Sequence, residues 1–401
     1  MVADRDEGER REIWRRHGAR GSEIDELIAY GRNDFDLSAP ALGGPFPLAD
    51  EPCVATWEAY AREAAVDGVA ACLRRHLPQC RFAIAPGMSE DPRYRAATRR
   101  GMWLDAACGP ETCEGVTFHD PDGLRLFVHP TAAGRIPVFV ARAREDFVTL
   151  IRTLTARNEP VAVPASMGAM MVAGYNNWER IEALRARHGV ASLSPDLLAQ
   201  KSLYQDRFIL LSSGPYSAVT AASLGLDGDD WLARSARIRL EHECAHYFTR
   251  RVLGSMRNRL YDEILADYAG LVAGPGGWRA DWFLRFMGLE AFPAYREGGR
   301  LQNYRGDPPL SPRAFVVLQR AVYAAAHHLE RLEGDAPAVG APVGAPTAGE
   351  TLARTATRVA MASLGLERLS VAKAPALVDD ARRRWLCAAA AAPRGYANVY
   401  A

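Results

Sequence analysis

Lysine is almost missing from this 401-residue chain, with only Lys201 and Lys373 among its 49 basic residues. So lopsided a preference for arginine reads as the usage of a GC-rich genome rather than as chemistry. An excess of either charge is missing too, since 49 basic and 48 acidic side chains leave a formal net charge of +1. Nucleic-acid binders carry a basic excess or a clustered basic face, so no nucleic-acid partner is expected. No uninterrupted apolar run approaches the eighteen or so residues of a membrane-spanning helix. The richest stretches, Leu265 to Ala273 and Cys387 to Ala392, are too short, and no membrane partner is expected. The opening Asp4-Arg5-Asp6-Glu7 lacks the apolar segment of a secretory signal, so the expected location is cytoplasmic. Seven scattered cysteines, an odd number, read as free thiols in that compartment. Cys108 and Cys113 are the one close pair, and no second Cys/His pair completes a zinc knuckle around them.

What remains is ordinary globular composition, 48% hydrophobic and 24% charged, with length for two or three domains. Apolar residues at helical spacing predict one amphipathic helix from Thr56 to Leu77. Strand-like runs come next at Arg81–Ala85, Leu124–Val128 and Ile136–Val140, then a helix at Asp146–Ala156. An α+β N-terminal region of unknown role is therefore expected over residues 1–150. A second domain is expected over 151–335. It contains a strand from Asp206 that is stopped by Gly214-Pro215, and a long helix from Asp229 to Leu253. Acidic residues open that helix and Arg250 and Arg251 close it, the order that suits the helix dipole. Another helix runs to Ala273. Residues 336–349, rich in Ala, Pro and Gly, read as a linker or loop, and residues 350–401 as helices packing on the second domain.

The chemistry concentrates in the long helix, which reads His242-Glu243-Cys244-Ala245-His246, an H-E-x-x-H. Four residues advance a helix by about 6 Å and just over one turn, so both imidazoles leave the same face. That is the separation from which two ligands reach one tetrahedral zinc ion. Glu243 lies roughly 100° around the helix, where it can take a proton from a metal-activated water. With nine histidines in the chain, chance would produce such a motif about once in a hundred sequences.

Metallopeptidase groups differ in the residues that come after the motif. A metzincin places Gly three and His six residues after the second His, but Thr249 and Val252 stand there. The next helix instead carries Glu263-x-x-Ala266-Asp267. With His242-Glu243-x-x-His246 before it, this resembles the gluzincin clan of zinc metallopeptidases, most closely the branch whose motif ends in Ala-Asp. The resemblance covers about residues 229–273. It implies a zincin-like catalytic domain built on a helical active-site hairpin. It also implies Zn2+ as cofactor, with His242, His246 and Glu263 as ligands, and an edge strand before the active helix along which an extended peptide lies. Phe208–Leu211 is placed to be that strand. The spacing agrees: if the two helices pack antiparallel about Gly254-Ser255, Glu263 faces His246 and Asp267 faces His242. Asp267 would then accept the spare N–H of a ligating histidine. Asp262, one residue off that face, is the rival ligand. The blander alternative pairs Glu263 and Asp267 with Arg257 or Arg259.

The implied activity is hydrolysis of a peptide bond in a peptide or protein substrate, with Glu243 as general base. A phenolic or cationic group is needed for the oxyanion, and the sequence nominates Tyr304, or His327 or His328. Two other readings compete. One is a zinc hydrolase of a non-peptide amide or small metabolite, and the other is a non-catalytic binding module on a zincin scaffold.

Overall fold

Alternation of apolar and polar residues in Leu124-Arg125-Leu126 forms strand β1, Leu124–His129, and the more continuously apolar run after it forms β2, Ile136–Ala141. Strands β3, Ala169–Asn176, and β4, Gln205–Ser212, complete one sheet in the order β1-β2-β4-β3. The β2–β4 pair is parallel and both outer pairs are antiparallel. This computed structural model describes residues 2–102, 115–190, 192–257, 259–334 and 348–391. The Cys108/Cys113 pair and nearly all of the 336–349 stretch lie outside the described residues.

The fold is α+β and divides into two compact units, Ala49–Ala218 and a second made of Met1–Leu48 with Val219–Ala401. A boundary near residue 150 does not occur, because β4 takes its backbone partners from β2 on one side and β3 on the other. Cutting at 150 would leave that ladder bare. The same pairing corrects the reading of Phe208–Leu211 as an edge strand, since β4 is interior with both edges filled. The strand and the H-E-x-x-H helix also belong to different units.

In the Ala49–Ala218 unit, Trp57 packs edge-on to Phe139 at 5.4 Å and lies 5.3 Å from Phe208. Below these rings Asp206 is fully buried; it accepts from Trp57 Nε1 and Asn177 Nδ2, each at 2.8 Å, and pairs with Arg180. Asn177 also caps the helix Trp178–His188 through the Arg180 N–H. Two expectations fail locally. The helix from Thr56 to Leu77 breaks at Gly68, whose φ of 86° no helical residue adopts, into Val54–Asp67 and Val69–His76. Arg81–Ala85 is no strand: Pro78–Arg81 is a 3₁₀ turn, and Asn158 Nδ2 donates to the Gln79 and Phe82 carbonyls at 3.0 and 2.8 Å.

The other unit is helical. Its longest element, the histidine helix Gly228–Val252, is capped by Asp227, which accepts from the Asp229 and Asp230 amides. The carboxylate helix Leu260–Ala273 returns against it. Contact is close because two residues lack side chains: a Cβ on Gly270 would stand 2.7 Å from the Ile238 carbonyl oxygen, and one on Gly274 would stand 2.5 Å from Ile238 Cγ1. Helices Pro312–Glu333, Ala348–Leu369 and Ala374–Ala391 complete the core of this unit. Tyr261 donates to the Met361 carbonyl, and Arg358 lies 4.6 Å over the Phe248 ring. The N-terminal segment joins them through Arg10–Glu367, His17–Ser370 and Asn33–Ala362 contacts. Among the described residues no helix is long and apolar enough to cross a membrane.

Alanine normally gains up to about 1 kcal/mol over glycine inside a helix. At Gly270 the overlap with backbone should reverse that sign, and Gly270→Ala is expected to destabilise the protein by about 1–3 kcal/mol. Urea unfolding would show this as a lower midpoint at unchanged slope. A raised midpoint would contradict the close approach of the two helices.

Candidate metal centre

One turn of the histidine helix carries His242 and His246 on its buried face, with ring centroids 4.8 Å apart and planes at 82°. Their Nε2 atoms stand 3.1 Å from each other. Glu263, from the carboxylate helix, places Oε2 at 3.4 Å from His242 Nε2 and Oε1 at 3.7 Å from His246 Nε2. Donors bonded at about 2.0–2.1 Å to a tetrahedral zinc stand about 3.3–3.4 Å from one another. The three separations, 3.1, 3.4 and 3.7 Å, lie near that edge length, and each imidazole faces a different Glu263 oxygen, so the donor types and their nearness suit such an ion. Asp262, the rival ligand, is buried but is not one of the three.

The antiparallel register puts Asp267 opposite His242, and Asp267 Oδ1 lies 3.0 Å from His242 Nδ1. This contact turns the Nδ1–H toward the carboxylate and leaves Nε2 facing the other donors. Asp267 is fully buried, and its second oxygen pairs with Arg300. Sequence reasoning misses Arg300. Its only signal there is a position four residues before Tyr304, in the same polar loop. His246 lacks such support, since its Nδ1 is buried without a hydrogen-bond partner among the described residues.

Tyr304 reaches the site, where its hydroxyl donates to Glu263 Oε2 at 2.9 Å. The other two nominees are elsewhere: His328 Nδ1 bonds the Leu369 carbonyl, and His327 packs on Tyr323 and pairs with Glu330. Arg259 takes neither carboxylate and donates to the Tyr30 carbonyl. Glu243 is buried beside His242 in the histidine helix and is not one of the three donors.

A second trio, Glu63, Cys72 and His76, shows by contrast what a hydrogen-bonded cluster looks like. Both His76 nitrogens meet carboxylates, Nδ1 with Glu179 at 2.6 Å and Nε2 with Glu63 at 2.7 Å. Those distances are too short for two ligands of one ion. Cys72 donates to the Tyr60 carbonyl at 3.3 Å, and burial pushes its thiol up to about 12. This is an ion-pair staple between helices.

Charge at the first trio is unevenly shared. Burial works against protonation of both rings. At His242 the Asp267 and Glu263 hydrogen bonds override it and carry the group up to about 10. At His246 burial dominates, with repulsion from His242 added, and the group falls to about 4 despite Glu263. Glu263 stays well below the usual carboxylate range in spite of its burial, held there by His242 and His246. The metal-free site therefore keeps one proton on His242 across neutral pH, and a cation binding there must displace it. Below a raised pKa the competing proton is present and above it absent, so zinc affinity should rise about tenfold per pH unit from 6 to 8. Chelator competition at three pH values measures this, and a pH-independent affinity would rule the stored proton out.

No curated protein and no solved structure matches the chain. A family model does match, over residues 12–370, and its span takes in both halves of the helical hairpin, Arg300 and Tyr304. By that match the chain belongs to a family of unknown function, DUF7005.

Proposed function

We propose that this protein is a zinc-dependent hydrolase of the gluzincin type that cleaves amide bonds, peptide bonds first among them. The observation that carries the reading is the convergence of His242, His246 and Glu263 within 3.1 to 3.7 Å of one another, with Glu243 next to His242 in the same helix. A zinc ion held there supplies a Lewis acid that polarises a carbonyl and acidifies water. The chain does the rest. Asp267 and Arg300 fix the tautomer and direction of His242. Glu243 accepts the proton of the attacking water and returns it to the nitrogen as the C–N bond breaks, so one carboxylate serves both halves of the reaction. The likeness to zincins is proposed for the hairpin alone.

A second reading, hydrolysis of a small non-peptide amide, is favoured by one finding. The strand expected to line an extended peptide is interior, so it has no open edge to offer one.

Glu243→Gln should retain about one equivalent of zinc and lose activity about 100-fold to 10,000-fold. His246→Ala should lose the metal. Metal analysis beside turnover of a peptide library and a panel of small acyl amides tests both readings. Equal turnover by Glu243→Gln and wild type would sink the mechanism, while the substrate class that turns over decides between the two.

A further inference from the structure

We infer that the 3₁₀ turn Arg300–Tyr304 is a clamp that sets the geometry of this centre, with Arg300 and Tyr304 as positioning residues acting through Asp267 and Glu263. The inference rests on the metal reading above and adds to it residues that are not ligands.

The spacing is matched on both sides. Glu263 and Asp267 are four residues apart on the carboxylate helix and so project from one face. Arg300 and Tyr304 are four apart on the turn and meet them pairwise, Arg300 on Asp267 and Tyr304 on Glu263. Each contact answers a distinct need. Asp267 is wholly buried, and a buried carboxylate needs more than one partner. His242 supplies one and Arg300 another. Glu263 can swing about its own bonds, and the Tyr304 hydroxyl fixes the plane in which its oxygens face the imidazoles.

A clamp must itself be held. Leu301 is fully buried between the two working residues. Tyr295 donates to the Gly299 carbonyl at 2.7 Å and accepts from the Gln302 amide at 3.1 Å. Gly299 lies so close to Gly288 that an added Cβ would be 2.6 Å from Gly288 Cα. At the far end Tyr30 donates to the Tyr304 carbonyl at 2.6 Å. The Tyr30 carbonyl accepts from Arg259, whose guanidinium lies 5.5 Å over the Tyr30 ring, directly before the carboxylate helix begins. One N-terminal tyrosine thus ties the clamp to the helix it grips.

The test uses the full-length protein and two readouts that do not depend on turnover: zinc affinity by chelator competition, and the visible absorption of the Co2+-loaded protein. Tyr304→Phe and Arg300→Gln should each weaken zinc about 10-fold to 100-fold and shift the cobalt bands, while Arg300→Lys recovers part of the loss. Tyr30→Phe should move both readouts the same way by less. Because Arg300→Gln risks misfolding around Asp267, Tyr304→Phe and Arg300→Lys decide the matter in that event. Variants that match wild type in affinity and spectrum would overturn the clamp while leaving the metal site standing. If wild type itself takes up neither ion, the metal site falls and the clamp with it.

Discussion

The centre depends on how near two antiparallel helices can come. Ile238 of the histidine helix rests on the bare backbone of Gly270 and Gly274, and this contact fixes the rotation and register of everything further along the pair. One turn on, His242 meets Asp267, and another turn on, His246 meets Glu263. Across the pair, Glu263 brings its oxygens to 3.4 Å from His242 Nε2 and 3.7 Å from His246 Nε2. Small residues at one end of the hairpin thus let the two helices pack closely beside the trio at the other.

Electrostatics is the second constraint. Glu263 and Asp267 place carboxylates in a region where Asp267 has no exposure at all. Desolvating such groups costs several kcal/mol each unless positive charge accompanies them. Arg300 and the proton on His242 provide it in the metal-free state. Exchange of that proton for a divalent ion would add one further positive charge beside the two anions. The Glu63–His76–Glu179 staple meets the same problem differently, with both ring nitrogens given to carboxylates and no donor left over.

Much of the centre was legible from spacing. The H-E-x-x-H interval placed both imidazoles on one face, and reflecting it about Gly254-Ser255 placed Asp267 opposite His242. Turns and long-range pairings were harder. Nothing local in Phe208–Leu211 says that β2 and β3 lie on either side of it, because an apolar strand looks alike at an edge and in the middle. The domain boundary near 150 failed for the same reason. Thr56–Leu77 kept helical periodicity straight through Gly68, and only the observed φ reveals the break. Arg300 was hidden because a contact between a turn and a helix 33 residues away leaves no periodic trace.

The unit that carries the candidate centre is also discontinuous in the chain. Residues up to Leu48 fold with those after Val219, and the entire sheet-containing unit intervenes. On a ribosome that makes protein from the N-terminus, Tyr30 emerges long before Tyr304 and Arg259 exist. Its helix has to wait for partners while the sheet unit is made. No uninterrupted excerpt of the gene that omits the first helices encodes the whole of the unit in which the candidate centre lies, whatever boundaries a reading of local sequence suggests.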